Sequence, residues 1–294
     1  MPLEFHPARP IYELVTEMAA GPLPAGSFTD DTEMSLALAE SLLNHLPLDA
    51  GDLVQRFCVW YQSNPSDVGI HTSQVLQQVI QGVPWQEASH SVQEMDPESA
   101  ANGSLMRAWP LSIVHWRHPE VLIEEARLQS EVTHTHPDCV SGCIFLNLLL
   151  AELVRQSDPM PSDGALRTAI ATAANQAQFS EDFHLVIDLA AVRSRERLAN
   201  TGWVRHTLEA SLWALLTTRS FEEALVQAVN LGNDADTTGA VTGAIAGALY
   251  GLMGIPQRWK DAIHGEFPLR TGRIWFCKDI IHLADRLSAL DALE

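Results

Sequence analysis

Residues 232–252 read Gly232-Asn-Asp-Ala-Asp-Thr-Thr-Gly-Ala-Val-Thr-Gly-Ala-Ile-Ala-Gly-Ala-Leu-Tyr-Gly-Leu252, and this stretch decides the fold. From 237 to 257 there is no charged residue. A helix over 237–252 is apolar or small on nearly every face, so it belongs inside a large α-helical domain. Gly239, Gly243, Gly247 and Gly251 recur four apart, with Ala240, Ala244 and Ala248 beside them. An interior glycine costs about 1 kcal/mol relative to alanine. The row therefore predicts that neighbouring backbones approach closely along that face. The uncharged run is nearly long enough to cross a bilayer, but its glycines, its isolation and the aspartates directly before it favour a buried helix of a soluble protein.

Working outward, residues 137–154 form a second segment without a polar face. Stretches 32–46, 52–62, 119–132 and 220–229 show apolar spacing of three and four, the signature of amphipathic helices. Ser220 followed by Glu223 predicts a capping box. No alternating strand pattern of useful length occurs, and no internal repeat. The linker-like pieces, 21–26 and 158–164, are too short to require a domain boundary. The expectation is one all-α domain over residues 1–294. At 46% hydrophobic and 19% charged, the 294-residue chain is not a disordered one. A net charge of −19 argues against sequence-independent grip on nucleic acid or an anionic membrane. Four scattered cysteines (Cys58, Cys139, Cys143, Cys277) read as reduced thiols, and the N-terminus lacks the pattern of a signal peptide. A cytoplasmic protein is expected.

Two acidic clusters stand at predicted helix starts: Thr29-Asp30-Asp31-Thr32 and Asp234-Ala235-Asp236-Thr237. Either alone reads as an N-cap with acidic residues favoured by the helix dipole. Asp-x-Asp opening a deeply apolar helix is different, because two carboxylates there repel each other without a counter-ion. Together the clusters offer the oxygen donors that Mg²⁺, Mn²⁺ or Ca²⁺ prefer. Two adjacent ions could orient a substrate oxygen and a water. Residues 101–110 place a turn at Asn102-Gly103 before a helix expected over 104–109, a geometry that exposes amides to phosphate. Thr133-His134-Thr135-His136 followed by Cys139 and Cys143 raises zinc, but no second Cys/His group completes such a site. His134 is left as a ligand contact or a buried structural histidine. Trp203, before a helix over 207–217, either stacks on a ring or fills core.

At these residues the chain resembles the ADP-ribosylglycohydrolase family. Thr29-Asp-Asp-Thr-Glu-Met34 matches its T-D-D-T-x-M, and Gly232-Asn-Asp-Ala-Asp-Thr237 with the small-residue helix matches its G-[GN]-D-x-D-T. Asn102-Gly-Ser-Leu-Met-Arg107 with Pro110 matches N-G-x-x-M-R-x-x-P, and Thr133-His134 the family's T-H. Gly202-Trp-Val and Thr207-Leu-Glu-Ala210 resemble G-Y-V-x-x-T-L-E-A. The resemblance implies a compact all-α fold with two divalent cations, Mg²⁺ or Mn²⁺, held by Thr29, Asp30, Asp31, Asp234, Asp236 and Thr237. It implies ADP-ribose or an ADP-ribosylated protein as substrate, cleaved at the anomeric carbon of the distal ribose. Asn102 and Gly103 would lie along the ribose or diphosphate, with His134 nearby and Trp203 where many members carry tyrosine. Pro2-Leu-Glu-Phe5 resembles the end of a family motif whose glutamate, here Glu4, would contact substrate or take a proton from water. The helix and Gly-Asp that usually precede that glutamate do not stand before Pro2. That makes this a shortened member or a chain read from a late start.

The leading expectation is thus a metal-dependent hydrolase that cleaves ADP-ribose from a modified acceptor, a protein side chain or a small ADP-ribosyl compound, with Asp30, Asp31, Asp234 and Asp236 holding the ions. One of these carboxylates, or Glu4, serves as base. A non-catalytic ADP-ribose binder of the same fold, or a metal hydrolase acting on another nucleotide, stays open. The acceptor atom is not legible in the sequence.

Overall fold

The computed structural model describes residues 6–156 and 163–290. Helices α1 (Asp30–Asn44), α2 (Ala50–Gln62), α3 (Ile70–Ile80), α4 (Trp85–Met95), α5 (Pro110–His115), α6 (Pro119–Glu131) and α7 (Pro137–Arg155) come first. They are followed by α8 (Asp163–Gln176), α9 (Glu181–Leu189), α10 (Val204–Thr217), α11 (Phe221–Val229), α12 (Ala235–Gly254), α13 (Gln257–Ala262) and α14 (Cys277–Ser288). The all-α expectation holds. Among the described residues the strands are β1 (His264–Glu266) and β2 (Ile274–Phe276), an antiparallel pair with Gly265 opposite Trp275. Three-residue strands are too short to leave an alternating pattern in the sequence.

Helix α7 fills the centre. Pro137 occupies its first turn, where the missing N–H costs nothing, and His136 Nδ1 accepts from the Asp138 N–H at 3.1 Å. Cys139, Cys143, Phe145 and Leu149 are fully buried, and α5, α6, α8, α10 and α12 pack around them. Among the described residues α7 is the helix long and apolar enough to cross a membrane, yet 83% of its most apolar window is inside the protein. Leu149→Ala should therefore leave a cavity at the middle of the core. Urea denaturation is expected to show unfolding free energy lowered by about 2–5 kcal/mol, and a change under 1 kcal/mol would contradict the packing described.

Helix α12 differs from the expectation. Its first half, through Ala246, is largely buried, whereas Leu252 and Met253 are exposed because the helix runs outward from the core. Close approach along the glycine row is confined to its inner end. An added Cβ would sit 3.0 Å from Val229 Cγ1 at Gly239 and 3.8 Å from Leu225 Cδ1 at Gly243, and would meet nothing within 4 Å at Gly247. Side chains of α11, not a neighbouring backbone, occupy that face.

Local signals shifted in two places. Ser220 Oγ accepts from the Glu223 N–H at 3.1 Å, but Glu223 Oε2 reaches back to the Arg219 N–H at 2.9 Å, one residue before the cap. The helix expected over 104–109 is instead a 3-10 turn at Asn102–Ser104 followed by further turns, and α5 begins at Pro110. The irregular backbone turns Arg107 fully into the core. Proline at the first helical position then starts the regular helix.

Candidate active site

The N-termini of α1 and α12 converge. Thr29 and Asp234 sit at the two N-cap positions, yet neither side chain caps its helix. Thr29 Oγ1 donates to Asp31 Oδ2 at 2.9 Å. Asp234 Oδ2 accepts from Asn102 Nδ2 at 2.7 Å. The ordinary capping role is thus set aside at both clusters, and the carboxylates point elsewhere. One oxygen from each of Asp30, Asp31 and Asp236 lies within 4.8 Å of the others, and all three residues are buried. Asp31 Oδ1 and Asp236 Oδ1 have no hydrogen-bond partner among the described residues.

Like charges at that spacing without a counter-charge cannot all ionise. Burial, then the neighbouring aspartates, holds the Asp30 and Asp31 carboxyls well above their ordinary range. Asp236 is pushed up to about 7, first by burial and then by Asp234. Three oxygen donors with two orphaned atoms fit a hard divalent cation, whose charge removes the repulsion and whose empty coordination positions take the orphans. Asp234 and Thr237 are 8% and 6% exposed at the same helix start, outside the triad of converging oxygens. Glu4 lies outside the described residues.

The loop before α12 needs unusual backbone. Gly232 has φ +75, and a Cβ there would lie 2.3 Å from the His6 carbonyl oxygen. Asn233 has φ +52 and donates its N–H to the same oxygen at 2.6 Å. Asn200, which the sequence reading passed over, braces the loop from below. Its Nδ2 donates to the Gly232 and Asp234 carbonyls at 2.6 and 3.3 Å, and its Oδ1 accepts from Thr238 Oγ1 at 2.5 Å. A lone asparagine with no spacing to the motif offers no sequence signal.

Asn102 sits between this loop and α10. Both hydrogens of its amide are used, on Asp234 and on Thr207 Oγ1 at 2.8 Å. Among the described residues no group donates to its side-chain oxygen Oδ1, and a Cβ on Gly202 would lie 3.9 Å from that atom. Gly103 is packed edge-on against His134: an added Cβ would stand 3.1 Å from His134 Cε1 and 3.2 Å from Nε2. His134 is 1% exposed and stacks on His71 with ring centroids 4.5 Å apart. Its Nε2 is buried and unpartnered. Trp203 pairs with Ala101 in an isolated antiparallel bridge and remains 37% exposed, with His206 edge-on at 4.8 Å. The backbone at Trp203 thus runs beside the 102–103 turn, and Gly202 just before it stands next to Asp234, where an added Cβ would lie 3.7 Å from Oδ2.

The zinc pattern does not assemble. Cys139 Sγ donates to the Ala101 carbonyl at 3.2 Å and Cys143 Sγ to Ser104 Oγ at 3.4 Å. Burial pushes both thiols up, away from the thiolate form that a metal requires. Two further acids were missed. Asp67, in the loop before α3, raises Asp30, Asp236 and Glu33 through space. Glu33 is one helical turn beyond Asp30 and 4% exposed, and its Oε2 accepts from the Trp60 indole N–H at 2.7 Å. Burial, helped by Asp67 and Glu266, pushes it up to about 7 against that hydrogen bond.

The ADP-ribosylglycohydrolase family model matches residues 1–294. An ADP-ribosylarginine hydrolase, Tri1, of Serratia proteamaculans is 31% identical over 282 residues, covering 89% of this chain and 70% of that protein. The ADP-ribosyl-[dinitrogen reductase] glycohydrolase of Rhodospirillum rubrum is 31% identical over 242 residues, covering 81% and 74%. A solved structure described as an ADP-ribosylglycohydrolase-related protein complex superposes with a TM-score of 0.79 at 33% identity, covering 99% of this chain and 92% of that one. With the acidic helix starts brought together in an all-α fold and this likeness running the length of the chain, the protein belongs to the ADP-ribosylglycohydrolase family and is an ADP-ribosylglycohydrolase.

Proposed function

We propose that this single-domain enzyme uses two divalent cations, Mg²⁺ or Mn²⁺, to remove ADP-ribose from an arginine side chain. The observation that carries the reading is the buried triad Asp30, Asp31 and Asp236, with two oxygens that no group among the described residues satisfies. Together with Thr29, Asp234 and Thr237, it would hold the ions. When bound, they supply the positive charge that neutralises these carboxylates and polarises oxygen ligands of the substrate. The chain's own residues do the rest. Asn102 keeps Asp234 oriented through one amide hydrogen, so its free carbonyl oxygen is left for a ribose hydroxyl. Gly103 and His134 receive the diphosphate side, and Trp203 offers a face to the base. Hydrolysis breaks the bond between the anomeric carbon and the acceptor nitrogen: water's oxygen goes to the carbon, and its proton passes through a carboxylate to the leaving group.

The arginine acceptor is supported by acids at and around the start of α1 that no lysine or arginine pairs with among the described residues. Glu33, Asp67 and Glu266 hydrogen-bond to the Trp60 indole and to the backbone of Val68 and Gly272, with no lysine or arginine among those partners. A guanidinium is planar, permanently charged and suited to pair with carboxylates. Two relatives of this chain, at 31% and 29% identity, are named ADP-ribosylarginine hydrolases. Asp67→Asn should lower kcat/KM on an ADP-ribosyl-arginine substrate about tenfold while ADP-ribose affinity stays unchanged. Equal loss on an ADP-ribosyl-serine substrate would remove Asp67 from acceptor recognition.

Calorimetry of ADP-ribose with metal-loaded and chelator-stripped protein tests the whole reading. Binding is expected only when metal is present, with turnover of the arginine conjugate following it. Binding without turnover on any acceptor would make the chain a binder. Equal binding in the two preparations would sink the metal site.

A further inference from the structure

Arg107 is fully buried without a carboxylate partner. Its Nη2 donates to the Gln129 carbonyl and to Thr133 Oγ1, both at 2.8 Å, and its Nε to Gln129 Oε1 at 3.2 Å. The guanidinium rests 4.3 Å above the Phe57 ring, and Met34 Sδ completes its surroundings at 4.0 Å. Of the two residues it holds, Gln129 and Thr133, the second passes the constraint on. The consequence lies in what the threonine then does.

A guanidinium only donates hydrogen bonds, so Thr133 Oγ1 must accept from Arg107. Its own hydrogen needs an acceptor, since a buried hydroxyl left unsatisfied loses the hydrogen bonds it made with water. The bonded atom that can accept it is His134 Nδ1, 2.7 Å away. Burial, then His71 and Arg107, keeps the His134 imidazole uncharged, so it carries a single hydrogen. With Nδ1 accepting, that hydrogen sits on Nε2. The stacked His71 is fixed the same way, because its Nε2 lies 2.9 Å from the Thr133 carbonyl and must donate to it. Both tautomers are set from the single residue Thr133, one by its side chain and one by its backbone.

We propose that Arg107 is a positioning residue which, through Thr133, locks His134 as the Nε2–H tautomer. The Asn102–Gly103 turn is thereby backed by a hydrogen-bond donor and not an acceptor. This rests on the reading that the turn receives ADP-ribose. His134 Nε2 is buried with no acceptor among the described residues, and Gly103 packs directly against it: an added Cβ would stand 3.2 Å from Nε2 and 3.1 Å from Thr72 Oγ1, so only glycine lets the turn sit this close to the ring. The group that completes it is an oxygen acceptor, of the kind a diphosphate or a ribose hydroxyl presents. The opposite tautomer would turn a lone pair toward those oxygens and repel them.

The test uses the full chain labelled with ¹⁵N-histidine, with the His134 signals assigned through His134→Gln. Long-range proton–nitrogen correlation at neutral pH, without ligand, should show a bare Nδ1 and a protonated Nε2. Thr133→Val keeps the shape and removes the hydroxyl, so it should lose that pattern and weaken ADP-ribose binding about tenfold. Thr133→Ser should retain both. A wild-type His134 protonated at Nδ1 or at both nitrogens would overturn the proposal, as would a Thr133→Val protein with an unchanged pattern. Loss of the pattern with unchanged ADP-ribose affinity would also overturn it, by cutting the lock from substrate binding. If the wild-type tautomer is as expected and ADP-ribose does not bind at all, the functional reading fails while the lock stands.

Discussion

Asp236→Asn is expected to lower hydrolysis of the ADP-ribosylated substrate by about 10³-fold or more, the equivalent of several kcal/mol of lost transition-state stabilisation. The same substitution should raise the melting temperature of the metal-free protein at neutral pH. The two effects have one cause. Asp236 is buried with Asp30 and Asp31, and its Oδ1 has no partner. At neutral pH the folded, metal-free enzyme must either crowd like charges or keep protons that the unfolded chain releases; both oppose folding, and an uncharged amide removes the cost. Activity and stability should move in opposite directions, which is the signature of a site built for a cation. Asp285→Asn, at an exposed position of α14 outside the triad, should change neither. Should Asp236→Asn lose stability along with activity, the carboxylate would be a structural element of the helix start and the metal reading would fall.

The parts of this molecule that were legible in the sequence are those in which one residue type answers one local demand. A helix such as α7, with no polar face, must be central, and Pro137 at its start is readable without a structure. The paired aspartates ahead of α12 were readable because no apolar helix tolerates them without compensation. What escaped depends on contacts between distant segments. Asn200 braces the Gly232–Asp234 loop from more than thirty residues away. Asp67 acts on the triad through space only because the loop before α3 comes near it in the fold. The glycine row of α12 was over-read: spacing reveals a small face but not its neighbour, which turned out to be side chains at one end and open space at the other. Asn102 shows the same limit from the other side. Its motif marked it for the substrate, and the structure gives both of its amide hydrogens to protein groups, one of them Asp234.

Metal should stabilise the protein increasingly as pH rises, and chelation should reverse the effect. Asp236 titrates near 7 in the metal-free fold against an ordinary value of 3.8, and Asp30 and Asp31 are raised as well. Between about pH 4 and 7 the unfolded chain releases protons that the folded chain keeps. Stability of the metal-free protein from these groups is therefore full at the acid end and lost as pH climbs through 7, by an amount on the order of a few kcal/mol. A cation needs the ionised carboxylates, so its binding competes with those protons and strengthens over the same window. Melting curves at pH 5 and pH 8, each with excess Mn²⁺ and with chelator, should show a small gap at the lower pH and a gap several degrees wider at the higher one. A gap independent of pH would mean that the cation does not bind through Asp30, Asp31 and Asp236. A gap that closes in Asp31→Asn, where the Oδ1 without a partner is replaced, would tie the stabilisation to the triad and not to acidic surface. That comparison matters in a chain of net charge −19, where divalent cations have many weak sites to choose from.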